Sequence, residues 1–160
     1  IEHLCVQDRF LAVNVQTNAG NRGFNPISKY RRADYVCLAG HEINIETRTR
    51  DANMQDGARK VLKRIDCPRI LVTVGSKGSL HYDLAQGFTN SRALAGRVLD
   101  KVGAGDAVLA VTSLLEKVGA PADVTGFVGN VAGAHMVTAL GNAVPIDRVA
   151  LVRHITSLLK

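Results

Sequence analysis

The sequence predicts an α/β domain in which a largely parallel sheet is flanked by helices. Three observations carry that expectation. Apolar runs rich in β-branched residues recur as "RFLAVNVQ" (9–16), "ADYVCLA" (33–39) and "RILVTV" (69–74), the pattern of strands buried on both faces. Stretches with helical periodicity lie between and after them, and strands alternating with helices favour parallel pairing. The chain has 160 residues, 46% of them apolar and 21% charged, enough to close one hydrophobic core and too apolar for a disordered chain.

The elements follow in order. After the first strand, "TNAGNRGFNP" (17–26) has the Gly and Asn content of a loop, and "ISKYRR" (27–32) can hold one or two helical turns. "HEINIETRTRD" (41–51) reads as a helix facing the surface. In "QDGARKVLKRI" (55–65), Ala58, Val61, Leu62 and Ile65 recur at spacings of three and four, which predicts an amphipathic helix that "CP" then breaks. "GSKG" (75–78) turns the third strand into "SLHYD" (79–83), and "GFTNSRA" (87–93) reads as a further strand of that meander. Helices are expected over Ala104–Val118, over the Gly- and Ala-rich Ala122–Leu140, and over 146–160.

Composition narrows the function. No apolar run reaches the ~18 residues of a membrane span. The opening "IEHLCVQDRF" has no basic leader and no cleavage motif, so a cytoplasmic protein is expected, its first residue falling inside a longer chain. Cys5, Cys37 and Cys67 form no CxxC or Cys/His cluster and read as reduced, buried thiols. The net charge of +6 raises nucleic acid as a partner. However, the basic residues cluster only in "KYRR" (29–32) and "RKVLKR" (59–64), and of the three Tyr and four Phe only Tyr30 falls among them, which makes no stacking platform. A solvated helix face explains "RKVLKR" better, and no nucleic-acid role is expected. His3, His81, His135 and His154 have no metal-ligand spacing and read as surface or hydrogen-bonded histidines. Ser76 and Ser79 lack a nucleophile elbow, which disfavours a hydrolase.

The segment with chemical content is "VLDKVGAGDAVLA" (98–110). It contains neither a Walker loop nor the third glycine of a dinucleotide fingerprint. Gly103, Ala104 and Gly105 would nonetheless feed backbone N–H groups into a helix N-terminus, where the dipole favours an anion. Asp106, in the first turn, reads either as a residue that complements the dipole or as a carboxylate beside an anion site.

"DKVGAGDA" resembles the "DTTGAGDA" signature of the ribokinase-like (PfkB) carbohydrate kinases, and further segments resemble that family in order. "LVTVGSKGSLHYD" looks like its nucleotide-side strand, glycine turn and next strand. "GNVAGAHMVTALGNAVP" looks like its late helix and the loop that closes over adenine and a monovalent cation. "YVCLAGHEINIE" falls where the family carries NxxE. "FLAVNVQTNAGNRGFNPISKYRRADYVCLA" looks most like the heptose-phosphate kinase branch, related to the bifunctional ADP-heptose synthases.

The resemblance implies a partial ribokinase-like domain over 1–160: the nucleotide-binding and catalytic-base portion of a kinase whose N-terminal half lies elsewhere. It implies ATP-dependent phosphorylation of a sugar or sugar phosphate, with Mg²⁺ and a K⁺ site. Asp106 would be the base, and Gly103, Ala104 and Gly105 the anion hole. Gly75, Ser76, Lys77 and Gly78 would lie along the nucleotide, with Asn130 and Gly141 near the adenine. Asp100 and Ala143 would belong to the cation site, where Gly141 also falls.

Two departures stand out. At the NxxE segment, His41 replaces the Asn and Asn44 the Glu that organises Mg²⁺ in the family, leaving Glu42 and Glu46 as the nearby carboxylates. Lys101 and Val102 replace the two threonines of the signature. These departures keep open a non-catalytic nucleotide-binding or regulatory module, and the charge keeps open a basic interaction domain. Removal of the other half predicts exposed apolar surface at Phe10 or Val13, and self-association.

Overall fold

The computed structural model describes residues 1–18, 20–50, 53–96, 98–138, 140 and 145–160. A five-stranded mixed sheet runs in chain order, β1 (Ala12–Val13), β2 (Tyr35–Ala39), β3 (Arg69–Thr73), β4 (Ser79–Asp83) and β5 (Gly87–Ser91). β1, β2 and β3 pair in parallel, and β3, β4 and β5 form an antiparallel meander. The first strand is much shorter than the run 9–16, because only Ala12 and Val13 enter the ladder, opposite Tyr35 and Val36. The second begins at Tyr35, not 33, because the side chain of Asp34 turns back to accept a hydrogen bond from the Leu11 amide at 2.7 Å.

Helix α1 (Glu2–Cys5) precedes the sheet, and a single 3₁₀ turn over Ile27–Lys29 is all that forms within "ISKYRR". α2 spans Gly40–Thr47 and is not the surface helix expected over 41–51: it buries Glu42, Ile43 and Glu46. It stops at Arg48, whose φ of 53° is left-handed and whose N–H bonds back to the helix, a cap geometry that ends the helix before Asp51. α3 (Met54–Arg64) is N-capped by Asn53, whose side chain accepts from the amides of Gln55 and Asp56. It packs Ala58, Val61 and Leu62 onto β2 and β3, in a core that includes Val36, Leu38, Ile43, Ile65, Ile70 and Val72. "RKVLKR" leaves its charges on the outer face, apart from Arg64, which pairs with buried Glu46.

On the other face, α4 (Ala104–Lys117) and α5 (Ala122–Met136) cover Tyr35, Cys37 and Leu71. The glycines of α5 are what let it approach so closely: a Cβ on Gly129 would lie 2.7 Å from Thr112, and one on Gly133 3.2 Å from Val108. α5 ends at Met136 and not at Leu140, as Val137 turns its carbonyl to the amides of Leu99 and Asp100. α6 (Arg148–Leu158), capped by Asp147, packs Leu151 against Val131 and Ala132 of α5. All three cysteines are free and buried, and burial pushes the Cys37 and Cys67 thiols up to about 12. Val13 is 4% exposed, contrary to the apolar surface expected there, because it belongs to the core cluster with Ile27, Val36, Leu38 and Ile43; Phe10 is half-buried. Among the described residues no helix is long and apolar enough to cross a membrane.

The α5–α6 contact contains a titratable joint. His154 Nδ1 lies 3.0 Å from His135 Nε2, so one ring must be neutral for the other to share a proton with it. Burial, and secondarily the charge of His154, hold the His135 imidazole below its usual range. A histidine whose folded pKa is lowered contributes stability that is present above its unfolded value of about 6.5 and is lost as pH falls through that value. Amide hydrogen exchange across 148–158 should therefore quicken, relative to β3, as pH falls from 7.5 to 5.5, after correction for the intrinsic exchange rate. Equal corrected protection at both ends would remove the joint.

Candidate active site

The parallel strands place their carboxyl ends on one edge of the sheet, the edge where open α/β sheets bind ligands. The Gly103 turn lies there. Gly103, with φ of 76°, is the N-cap of α4, a left-handed conformation that a side chain would strain, and its carbonyl accepts from Ala107 at 2.9 Å. Among the described residues the amides of Gly105 and Asp106 have no hydrogen-bond partner, so two donors sit open at the helix N-terminus. Asp106 is exposed in the first turn and lines an open cleft of about 350 Å³ with Asn14, Gln16 and Tyr30. Beneath it lies Cys37, whose thiol is raised by burial and Glu42 and, more weakly, by the Asp106 charge.

Gly105 differs from Gly103. Its φ is not left-handed, and a Cβ there would meet nothing nearer than the Asn14 amide nitrogen at 3.9 Å. Neither backbone strain nor packing within the fold demands glycine at this exposed position. The space a Cβ would occupy is left open at the N-terminal end of α4.

The "GSKG" turn occupies the same edge at the end of β3. Gly75 to Lys77 form a 3₁₀ turn, exposed, with Gly75 at φ 55°. Gly78 is buried: a Cβ there would collide with the Ser91 carbonyl and lie 2.6 Å from the Ala93 nitrogen, so this glycine is required by the fold. Asn130, on α5, donates from Nδ2 to the carbonyls of Ser91 (3.1 Å) and Arg92 (2.8 Å), which fixes the end of β5 and commits both amide hydrogens. Asp100 accepts from Val102 N–H at 3.0 Å and, through the Val137 carbonyl, lies against the end of α5. The expected adenine and cation residues Gly141 and Ala143 lie outside the described residues.

The structure keeps Asp106, Gly103, Ala104 and Gly105 at one helix N-terminus, and the "GSKG" turn follows β3, two strands from β1 in the sheet. The α2 carboxylates are held by other partners. Glu42 Oε2 accepts from Ala39 N–H at 2.8 Å and Oε1 from Thr17 N–H at 3.1 Å. Burial raises its carboxyl, and these backbone donors offset part of that rise. Glu46 pairs with Arg64 at 2.8 Å, and Asn44 donates to the Arg50 carbonyl at 3.0 Å. Both acids are thus structural, and the altered NxxE segment does not fit a protein-held Mg²⁺. Among the described residues no group of three or more His, Cys, Asp or Glu could hold a metal ion. Asn14 and Gln16 belong to no motif, and their signal in the sequence is position, just after β1 at the carboxyl end of a parallel strand; Tyr30, between the Ile27–Lys29 turn and β2, carries none.

Comparison with known proteins gives a consistent result. The family model described as pfkB family carbohydrate kinase matches residues 4–148. The Bifunctional protein HldE of Koribacter versatilis is 29% identical over 133 residues, which cover 81% of this chain and 27% of that protein. Among solved structures, Arabidopsis thaliana ribokinase complexed with ribose and ATP superposes with a TM-score of 0.66 at 21% identity, covering 76% of this chain and 40% of that one. Escherichia coli phosphofructokinase-2 in complex with fructose-6-phosphate gives 0.66 at 14%, covering 84% and 43%. The chain therefore has the ribokinase-like fold and spans less than half the length of these relatives.

Proposed function

We propose, for a chain that belongs to the pfkB family of carbohydrate kinases, that it is the nucleotide-binding and catalytic-base portion of an ATP-dependent sugar or sugar-phosphate kinase. The observation that carries this reading is Gly105, a glycine the fold does not require, beside two unpartnered amides and a carboxylate. A phosphoryl group held by the Gly105 and Asp106 N–H groups would approach the backbone where a Cβ would stand.

In the reaction the acceptor hydroxyl oxygen bonds to the γ-phosphorus of ATP as the bond to the ADP oxygen breaks, and Asp106 takes the hydroxyl proton. Phosphoryl transfer is mainly positioning and charge stabilisation, so one carboxylate and an anion hole are sufficient machinery from this half. "GSKG" (75–78), Asn130 through its Oδ1, and Gly141 would lie along the nucleotide. Asp100, Gly141 and Ala143 would hold K⁺, which takes carboxylate and carbonyl oxygens. Mg²⁺ would arrive bound to ATP phosphates and water, since α2 offers it no carboxylate.

The remainder of the kinase domain would supply most acceptor contacts. This piece alone should be inert toward sugars and prone to self-association through β1, whose outer edge pairs with no strand among the described residues.

The test is Gly105→Ala in the full-length protein. Stability should hold or rise by up to about 1 kcal/mol, as helix propensity dictates. Adenine-nucleotide affinity or turnover with a panel of sugars and sugar phosphates should fall at least ~10-fold, a binding loss of about 1.4 kcal/mol. Unchanged binding and turnover would overturn the anion hole. A wild-type protein that binds nucleotide but phosphorylates nothing would favour the regulatory reading that the altered NxxE segment keeps in play.

A further inference from the structure

We infer that Asn14 is a second catalytic residue of this site, donating from Nδ2 to the phosphoryl group while it is in transfer; the inference rests on the kinase reading above. Asn14 follows β1 directly, at the carboxyl end of a parallel strand, so the sheet itself aims it at the N-terminus of α4. Its amide nitrogen is the atom nearest to the empty Cβ position of Gly105, at 3.9 Å. It lines the same cleft as Asp106.

The side chain has no other employment. Asn14 is half-buried, and among the described residues its amide makes no hydrogen bond, whereas Asn53 caps α3 and Asn130 clamps β5. At the mouth of the cleft this amide has two N–H donors that no group among the described residues commits, so it is free to meet an acceptor that enters there.

The chemistry of the lining explains why an amide stands here. Asp106 is the one charged residue that lines the cleft. A lysine at position 14 would stabilise phosphoryl charge but would also pair with Asp106 and weaken it as a proton acceptor. An aspartate would repel the phosphoryl oxygens. A neutral donor stabilises the developing charge and leaves the base free, the same division of labour as an oxyanion-hole amide beside a catalytic base.

The experiment uses the full-length protein with ATP, Mg²⁺ and whichever acceptor of a sugar and sugar-phosphate panel turns over fastest. Asn14→Ala should lower kcat by ~100-fold, with KM for ATP and acceptor changed less than about threefold, because the donor acts in the transition state. Asn14→Asp, which preserves shape, should lose at least as much. Both should keep the wild-type unfolding midpoint and ADP affinity, and both should weaken binding of ADP with aluminium fluoride, a mimic of the transferring group. A kcat within threefold of wild type in either variant, or a loss confined to KM for the acceptor, overturns the role. If wild type transfers no phosphoryl group, the kinase reading falls and this one with it; if wild type is active and the variants are too, this one falls alone.

Discussion

Asp106→Asn in the full-length protein is expected to lower turnover by ~100-fold or more while ATP affinity stays within about twofold. The substitution preserves volume and exposed position at the first turn of α4, so the fold has little reason to respond. It removes the proton acceptor and leaves the Gly105 and Asp106 backbone donors in place. An asparagine also loses the favourable interaction of a carboxylate with the helix dipole, but at an exposed N-terminus that is worth only ~0.3–1 kcal/mol. Stability and catalysis therefore separate cleanly: the unfolding midpoint moves little while kcat collapses. Steady-state kinetics alongside ADP calorimetry reads both. A variant retaining a tenth or more of wild-type turnover would mean that Asp106 serves α4 and not the acceptor hydroxyl.

The legibility of this chain divides by what kind of physics each element obeys. β2 and β3 are buried on both faces, so their apolar runs announce them to within a residue or two. The α3 stripe and the glycine signature before α4 were equally plain. "GSKG" and the meander after it were visible as turn chemistry, although only coordinates reveal that Gly78 is required by the Ser91 backbone whereas Gly105 is required by nothing in the fold.

The burial of α2 is not legible because its polar sequence hides two carboxylates used inward: Glu42 bridges two backbone amides and Glu46 meets Arg64 from α3. Such long-range satisfaction leaves no periodic trace. The run 9–16 exceeds β1 because an apolar run signals burial and not ladder pairing. Asn14 was invisible for a related reason: its significance comes from where β1 ends relative to α4, two segments ninety residues apart.

The last element hidden from the sequence is also the one whose loss should hurt most. Glu116 interrupts an apolar helix, and a lone acid at that position reads as a surface residue. In the fold its side chain is 1% exposed, with Oε1 2.9 Å from His81 Nε2 and Oε2 3.1 Å from Arg69. Arg69 also donates to the Glu116 carbonyl at 3.0 Å, so the cluster pins the far end of α4 to the start of β3. One turn earlier on α4, the Tyr35 hydroxyl donates to Thr112, which donates in turn to the Val108 carbonyl, so this face of α4 is held by polar contacts within an apolar interface. Glu116→Ala leaves His81, itself 2% exposed and with Nδ1 already unpartnered, with no hydrogen bond on either nitrogen. Breaking a buried pair from one side costs ~3–5 kcal/mol, and the lower end applies because Arg69 is 24% exposed and can turn to water. Against a typical ~5–15 kcal/mol for a whole domain, about 3 kcal/mol is a large loss. Removing His81 and Glu116 together should cost less: the double variant His81→Phe with Glu116→Leu leaves neither of them a buried polar orphan, Arg69 can turn to water, and at least half of what Glu116→Ala loses should be recovered. Urea unfolding of the full-length protein measures all three. A Glu116→Ala variant within 1 kcal/mol of wild type, or a double variant worse than the single, would show that α4 is held by its apolar face and its close contact with α5 alone.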